Sequence, residues 1–539
     1  MREWKPICLI LLLMGMLTLA SAPASGEILF PDGTLIKQKC SACHKPDAQG
    51  QLDVLEHTRK TPEEWKVVVD RMIRINSLPL ENENFNSVIK ELSAKLCLSP
   101  KEMSAVAYLN SDENSQYREL PKDKLEERIF TSCVRCHTYG KIVSHKNTPE
   151  QWAENRNLHL GYYPTVISQM REMDWAVESK ELIEPLSKLL PFDNPEWKQW
   201  IQNRKKPDLT GEWTVVGYQP GKGYYEGSYA IKANTAAGKD EYSIEKEIRY
   251  ESGTVLKTSG SGTLYSEYHL RYALSSKDAM GKTEGVFDLN ADHMAFSGKW
   301  WAVVQDMNVF GNEMFSKSGS SAKILGAYPE ALQTNQTHKV TMIGVNLPSV
   351  KAADITFSKP GISVTKITQT GASKIVCNVN VKTEAGTGVF GVKVKGIAYD
   401  GSMKVYAKID AIKVLPEIGR ARVSCGSAYP WQGVQFVARG ISAGPDGKVG
   451  TEDDLVLNPV DAKWSLAEEK TREDDDDLKY LTTSVVNGLY TPVTTYGPIA
   501  SRSQGLEGTG LIKIVATFKG MESSSRLVVT VPDFIAHLK

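Results

Sequence analysis

The spacing of apolar residues changes character once along this chain. Up to about residue 206 they recur at intervals of three and four: Val68, Val69, Met72 and Ile73 follow Trp65, and Met103, Val106, Ala107 and Leu109 follow Pro100. That spacing gathers them on one face of a helix. Pro207-Asp208-Leu209-Thr210-Gly211 reads as a linker. Beyond it Tyr242, Ile244, Ile248 and Tyr250 interleave with Ser243, Glu245, Glu247 and Arg249, and Tyr268, Leu270, Tyr272 and Leu274 repeat the alternation. A period of two buries one face of an antiparallel strand. Residues 207–327 are expected to close as an antiparallel β-barrel filled by its own side chains. Residues 328–414 and 415–539 carry short strands between turn residues, from Val340-Thr341-Met342 to Leu527-Val528-Val529-Thr530-Val531, and predict two immunoglobulin-like β-sandwiches. The fold class is therefore multidomain α and β, with an all-α N-terminal region.

Helix-start signals divide that region into two copies. Thr61-Pro62-Glu63-Glu64-Trp65 and Thr148-Pro149-Glu150-Gln151-Trp152 each place a Thr at the N-cap and a Pro at the first helical position, where its missing N–H costs nothing. Glu64 or Gln151 three residues after the cap predicts a capping box. Ser99-Pro100-Lys101-Glu102 and Asn194-Pro195-Glu196-Trp197 are matching starts of a closing helix. The copies are read as 27–117 and 118–206.

Each copy opens on the same chemistry. Cys40-Ser41-Ala42-Cys43-His44 and Cys133-Val134-Arg135-Cys136-His137 are both Cys-x-x-Cys-His, the attachment signature of c-type haem. Two thiols at that spacing add across the two vinyl groups of one porphyrin, and the adjacent His is left as the first axial ligand of the iron. With 8 Cys and 9 His in 539 residues, chance does not supply the pattern twice. The region is thus expected to be a dihaem class I cytochrome c domain spanning 27–206. Zinc binding by Cys40, Cys43, Cys133 and Cys136 is the weaker reading, because paired zinc ligands sit closer in sequence.

Alignment of the copies on their Trp residues suggests the second ligands. Met72 and His159 each lie seven residues after the Trp, nearly two helical turns on and so on the same face. The expected pairs are His44 with Met72 and His137 with His159. Met103 competes in the first copy; His145, Met170 and Met173 compete in the second. A thioether ligand raises the potential of haem iron relative to a second imidazole, so electrons should settle on the first haem.

Composition narrows the setting. Met1-Arg2-Glu3-Trp4-Lys5, an apolar run from Ile7 to Ala22 and the small residues up to Gly26 read as a secretory signal peptide over residues 1–26, which implies export to the periplasm and no membrane anchor. Lys plus Arg and Asp plus Glu are both 64, so no net charge draws the chain to nucleic acid. Cys97, Cys377 and Cys425 are left over and are read as buried thiols. Asp446-Gly447-Lys448-Val449-Gly450-Thr451-Glu452-Asp453-Asp454 departs from the EF-hand pattern and reads as a solvated loop.

With its two haem motifs, Thr-Pro-Glu-x-Trp repeats and three β domains, the chain resembles the alpha subunit of quinohemoprotein amine dehydrogenase over essentially its whole length. The resemblance implies a periplasmic heterotrimer with a β-propeller subunit and a small subunit carrying cysteine tryptophylquinone, where primary amines are oxidised. It implies that this chain takes electrons from that quinone through two haem c groups and passes them to azurin or a small cytochrome c. Alternative readings are a dihaem peroxidase or oxidase, or a haem-bearing sensor or adhesion module.

Overall fold

The computed structural model describes residues 29–104, 106, 121–134, 138–277, 281–290, 293–305, 308–424, 430–481, 485–493 and 508–530. The expected signal peptide lies outside these residues, as do Cys136, His137 and Cys425. Among the described residues no helix is long and apolar enough to cross a membrane.

The first copy comprises α1 (Leu35–Cys40), α2 (Pro62–Arg74), α3 (Asn82–Leu96) and α4 (Pro100–Ser104). The second comprises α5 (Lys124–Cys133), α6 (Tyr139–Val143), α7 (Pro149–Tyr162), α8 (Thr165–Gln169), α9 (Trp175–Glu181), α10 (Ile183–Leu189) and α11 (Pro195–Asn203). Thr61 caps α2 by accepting from the Glu64 N–H at 3.2 Å, and Thr148 caps α7 by accepting from Gln151 at 3.2 Å. Each such cap contributes about 1 kcal/mol. The reciprocal half of the expected capping box does not form. The Glu64 carboxylate turns instead to the Lys141 ammonium at 3.2 Å and His145 Nε2 at 3.6 Å, both in the other copy. Gln151 donates to Asn155.

The region is not wholly α. Strand β1 (Thr58–Arg59) pairs antiparallel with β2 (Lys146–Asn147), with Arg59 opposite Lys146. Each strand leads into the Thr-capped helix of its own copy, and Arg59 and Lys146 both stand six residues before their copy's Trp. An antiparallel rung between equivalent residues relates the copies by an approximate two-fold axis. Arg59 is fully buried at this seam. Its guanidinium donates to both oxygens of Glu102 in α4 at 2.7 and 2.9 Å and to the Phe192 carbonyl at 2.8 Å, and lies 4.3 Å from the Trp197 ring of α11. Removing one partner of a buried pair of this kind costs about 3–5 kcal/mol.

Eight strands then close a barrel: β3 (Gly211–Gln219), β4 (Gly223–Ala233), β5 (Glu241–Tyr250), β6 (Val255–Tyr265), β7 (His269–Ser275), β8 (Lys282–Leu289), β9 (Ala295–Ala302) and β10 (Phe310–Lys317), with β10 pairing back to β3. Inward positions fill the lumen with Trp213, Tyr225, Tyr229, Phe287, Phe296, Trp300 and Phe315. The inward face also carries Lys246 and Glu313, both buried. Glu313 accepts from the Lys246 ammonium and from the Tyr229 and Tyr225 hydroxyls, the last at 2.7 Å, so the charges are paired and hydrogen-bonded.

Two further β units follow. In the third, a four-stranded sheet and two three-stranded sheets enclose one core that includes Val340, Met342, Cys377 and Phe390. Lys323–Tyr328 pairs with Gln336–Val345 in that sheet, so ladder hydrogen bonds place it beyond the barrel rather than in it, where a boundary at 327 would leave it. Likewise Ala411–Leu415 pairs with Val437–Ser442 in the last unit, not with the strands before 414. That last unit surrounds a core including Val434, Phe436, Ile514 and Leu527. Cys97 and Cys377 are buried and unbridged.

The helical region docks on the barrel through charged groups. Arg271 pairs with Glu63 of α2 and with Asp288 at 3.4 Å. His269 is fully buried, with Nδ1 2.6 Å from the Asp288 carboxylate and Nε2 3.2 Å from the Leu98 carbonyl. Both nitrogens therefore face acceptors, the arrangement of an imidazolium. Burial opposes that charge, but the Cys97 sulfur and Asp288 outweigh it and raise the pKa from 6.5 to about 10. Because folding raises this pKa, the contribution to stability is whole below about 6.5 and is lost as pH rises through about 10. Thermal unfolding should show that loss in the native chain, while His269→Gln should remove the pH step. An identical step in the variant would reject the assignment.

Candidate functional site

The seam between the copies encloses a cavity of 730 Å³, lined by Cys40, His44 and Met72 from the first copy and by Cys133, His159 and Met170 from the second. Cofactor sites commonly span about 300–1,000 Å³. Its apolar walls include Trp65 of α2 and Trp152 of α7, the two residues on which the copies align.

Local structure aims the first motif. The backbone N–H groups of Cys43 and His44 both donate to the Cys40 carbonyl, at 3.1 and 2.9 Å, and add a turn to the end of α1. Cys40 is buried, and burial pushes its thiol up to about 11, while Cys43 is exposed. His44 Nδ1 lies 3.0 Å from the Asp53 carbonyl. A carbonyl only accepts, so Nδ1 carries the proton and the lone pair is on Nε2, the nitrogen that would meet iron.

The second copy repeats the device. His159 Nδ1 lies 2.7 Å from the Asn155 carbonyl one helical turn back, which again puts the lone pair on Nε2. Cys133 ends α5, and its partners Cys136 and His137 lie outside the described residues.

The rivals fare unequally. Met103 is buried against Cys97 and Leu98, with its sulfur 4.0 Å from Arg271, and does not line the cavity. His145 lines it, but its Nδ1 meets the Lys141 carbonyl at 2.5 Å and its Nε2 faces Glu64. Met173 packs at the edge of a neighbouring cluster that contains Met170, and Met170 also lines the cavity. Met72 receives a hydrogen bond from the Asn76 amide at 3.7 Å. Among the described residues there is no group of three or more His, Cys, Asp or Glu that could hold a metal ion, and Cys136 lies outside them. The loop at 446–454 hydrogen-bonds to itself: Asp453 accepts from the Asp446 N–H at 3.2 Å and Asp454 from Gly450 at 2.7 Å.

Sequence reasoning missed the cations. Lys60, Arg71 and Lys141 line the cavity with Glu64. Lys39 and Arg156 line it as well, and five cations against one carboxylate suit a ligand that brings its own carboxylates, as haem does. No periodicity marks Lys60; its only signal is its place immediately before the Thr61 cap.

Comparison with known families accounts for nearly all of the chain. Residues 32–197 match the haem-binding domain model of the quinohemoprotein amine dehydrogenase alpha subunit, 206–317 its domain II, 321–407 its domain III and 412–537 its domain IV. No curated protein matches the chain. Among solved structures, a redesigned β-barrel, mFAP1, bound to DFHBI, aligns at 13% identity over 20% of this chain and 94% of its own, with a TM-score of 0.17. The Yersinia pseudotuberculosis adhesin InvE aligns at 14% identity over 39% of this chain and 58% of its own, with a TM-score of 0.13. Mouse clustered PcdhgC3 EC1-3 aligns at 12% identity over 50% of this chain and 79% of its own, with a TM-score of 0.16. With a haem-binding region followed by domains II, III and IV in order, the chain belongs to the family of quinohemoprotein amine dehydrogenase alpha subunits.

Proposed function

We propose that this chain is the dihaem electron-transfer subunit of a periplasmic amine dehydrogenase. The observation that carries the reading is the single cavity into which Cys40, His44, Met72, Cys133 and His159 all open. Cys40 with Cys43, and Cys133 with Cys136, would each form two thioether bonds to one haem c. His44 and Met72 would be the axial ligands in the first copy, His137 and His159 in the second. When bound, the two haems supply one-electron transfer from a cysteine tryptophylquinone on a small partner subunit to azurin or a small cytochrome c.

This chain's own residues hold and bias that transfer. Asp53 and Asn155 fix the ring orientation of His44 and His159 through their carbonyls. The thioether of Met72 against the imidazole of His159 makes the first site the higher in potential, which directs electrons from the second copy to the first. Filled axial positions favour transfer over reaction at iron. The copies are read as class I cytochrome c halves and the last two β units as immunoglobulin-like sandwiches. These, with the barrel, offer surface to a β-propeller subunit and the small quinone subunit. The leader at residues 1–26 would deliver the chain to the periplasm.

Haem counting tests the reading. After denaturation and acid-acetone extraction of the mature chain, two haems per polypeptide should stay with the protein; extraction of either into the solvent would contradict it.

A further inference from the structure

Lys60 is the least expected group in the cavity. It precedes the N-cap of α2, its backbone N–H donates to the Leu96 carbonyl at 3.0 Å, and its side chain lines the cavity. The residue is 5% exposed, yet none of the described residues accepts a hydrogen bond from its ammonium, whose nearest aromatic neighbour is the Trp65 ring with its centroid 5.9 Å away. An ammonium that faces an apolar-walled cavity is stabilised by any acceptor that enters it, whether ligand, ion or ordered water.

The groups around Lys60 do not supply it. Glu64 is the nearby carboxylate, and it is already engaged by Lys141 at 3.2 Å and by His145 at 3.6 Å. Arg71 and Lys141 add repulsion; together with burial, the largest cause, they lower the Lys60 pKa to about 7, against the attraction of Glu64. The site therefore holds more positive charge than it can balance, inside apolar walls, at the point where both copies meet. An anionic group that reaches Lys60 and Lys141 would offset part of that excess.

We propose that Lys60, with Lys141 from the other copy, binds a propionate of the first-copy haem. The proposal rests on the dihaem reading above. The propionate gives the ammonium its acceptor, and the ammonium keeps the propionate from acting as an uncompensated negative charge beside the iron. Adding an electron near a bare carboxylate is disfavoured in a low-dielectric site, so the pair holds the potential of the Met72-side haem up. A residue of the second copy would thereby set the potential of the first.

Potentiometric titration of the haem-loaded full chain tests this. Lys60→Met should lower the reduction equilibrium constant of the first-copy haem by about tenfold, which is about 59 mV for one electron, with haem content and axial spectra unchanged. Lys60→Arg should keep the native potential. Unchanged potentials in Lys60→Met with both haems present would overturn the propionate site and leave the dihaem reading standing. A chain carrying no covalent haem would overturn that reading instead. If Lys60→Met fails to fold, haem labelled with 13C at its propionates decides the matter: redox-difference infrared bands should shift between the native chain and Lys60→Arg, and identical bands would overturn the proposal.

Discussion

Met72→Ala should abolish the weak long-wavelength charge-transfer band of ferric thioether-ligated haem, while His159→Ala should leave that band intact and turn a different haem high-spin. The expectation follows from geometry. Met72 and His159 stand at the same place in α2 and α7, both open into the seam cavity, and the two helices are brought together by the antiparallel rung between Arg59 and Lys146. The sulfur of Met72 also accepts from Asn76, which fixes the side chain without consuming the sulfur's coordinating capacity. His159 donates from Nδ1 to the Asn155 carbonyl, which puts the ring lone pair on Nε2. Loss of the thioether should also lower the potential of the first haem towards that of the second and flatten the downhill path between them. A Met72→Ala chain with its charge-transfer band intact would reject the Met assignment. A His159→Ala chain that stays wholly low-spin would turn attention to Met170, which lines the same cavity.

The helix starts and the strand alternation were legible in the sequence because they are local. Cys-x-x-Cys-His places its chemistry within five residues, and Thr-Pro-Glu sets a helix start within four. The strand alternation of Tyr242, Ile244, Ile248 and Tyr250 continues in the structure as inward positions of β5 in a closed barrel. What escaped is long-range. The rung between Arg59 and Lys146 is two residues long in each strand and joins segments from different copies, so no periodicity announces it. Glu64 leaves its capping box because Lys141 and His145 arrive from the other copy, and a charged partner outcompetes a backbone N–H. Lys246 falls on the inward face of β5, against the rule that charge faces solvent; only Glu313, brought alongside by barrel closure, makes that tolerable. Strand partnership likewise decides that Lys323–Tyr328 belongs with the third unit, and composition carries no record of partnership.

The arithmetic of the proposed reaction gives the second large effect. Oxidative deamination of a primary amine releases two electrons, and the two haems proposed for this chain would take both. If His44 with Met72 and His137 with His159 fill the axial positions as proposed, no iron position is left for amine. The isolated chain should therefore remain ferric when a primary amine is added, and the assembled complex should not.

The most direct test is anaerobic addition of a primary amine to the native assembly, with the haem absorbance of this chain followed and the separated subunits stained for quinone. The account predicts that both haems become ferrous only in the assembly, and that the quinone stain falls on a different, smaller polypeptide. Haems that stay ferric in the assembly, or an isolated chain that turns over amine by itself, would contradict it.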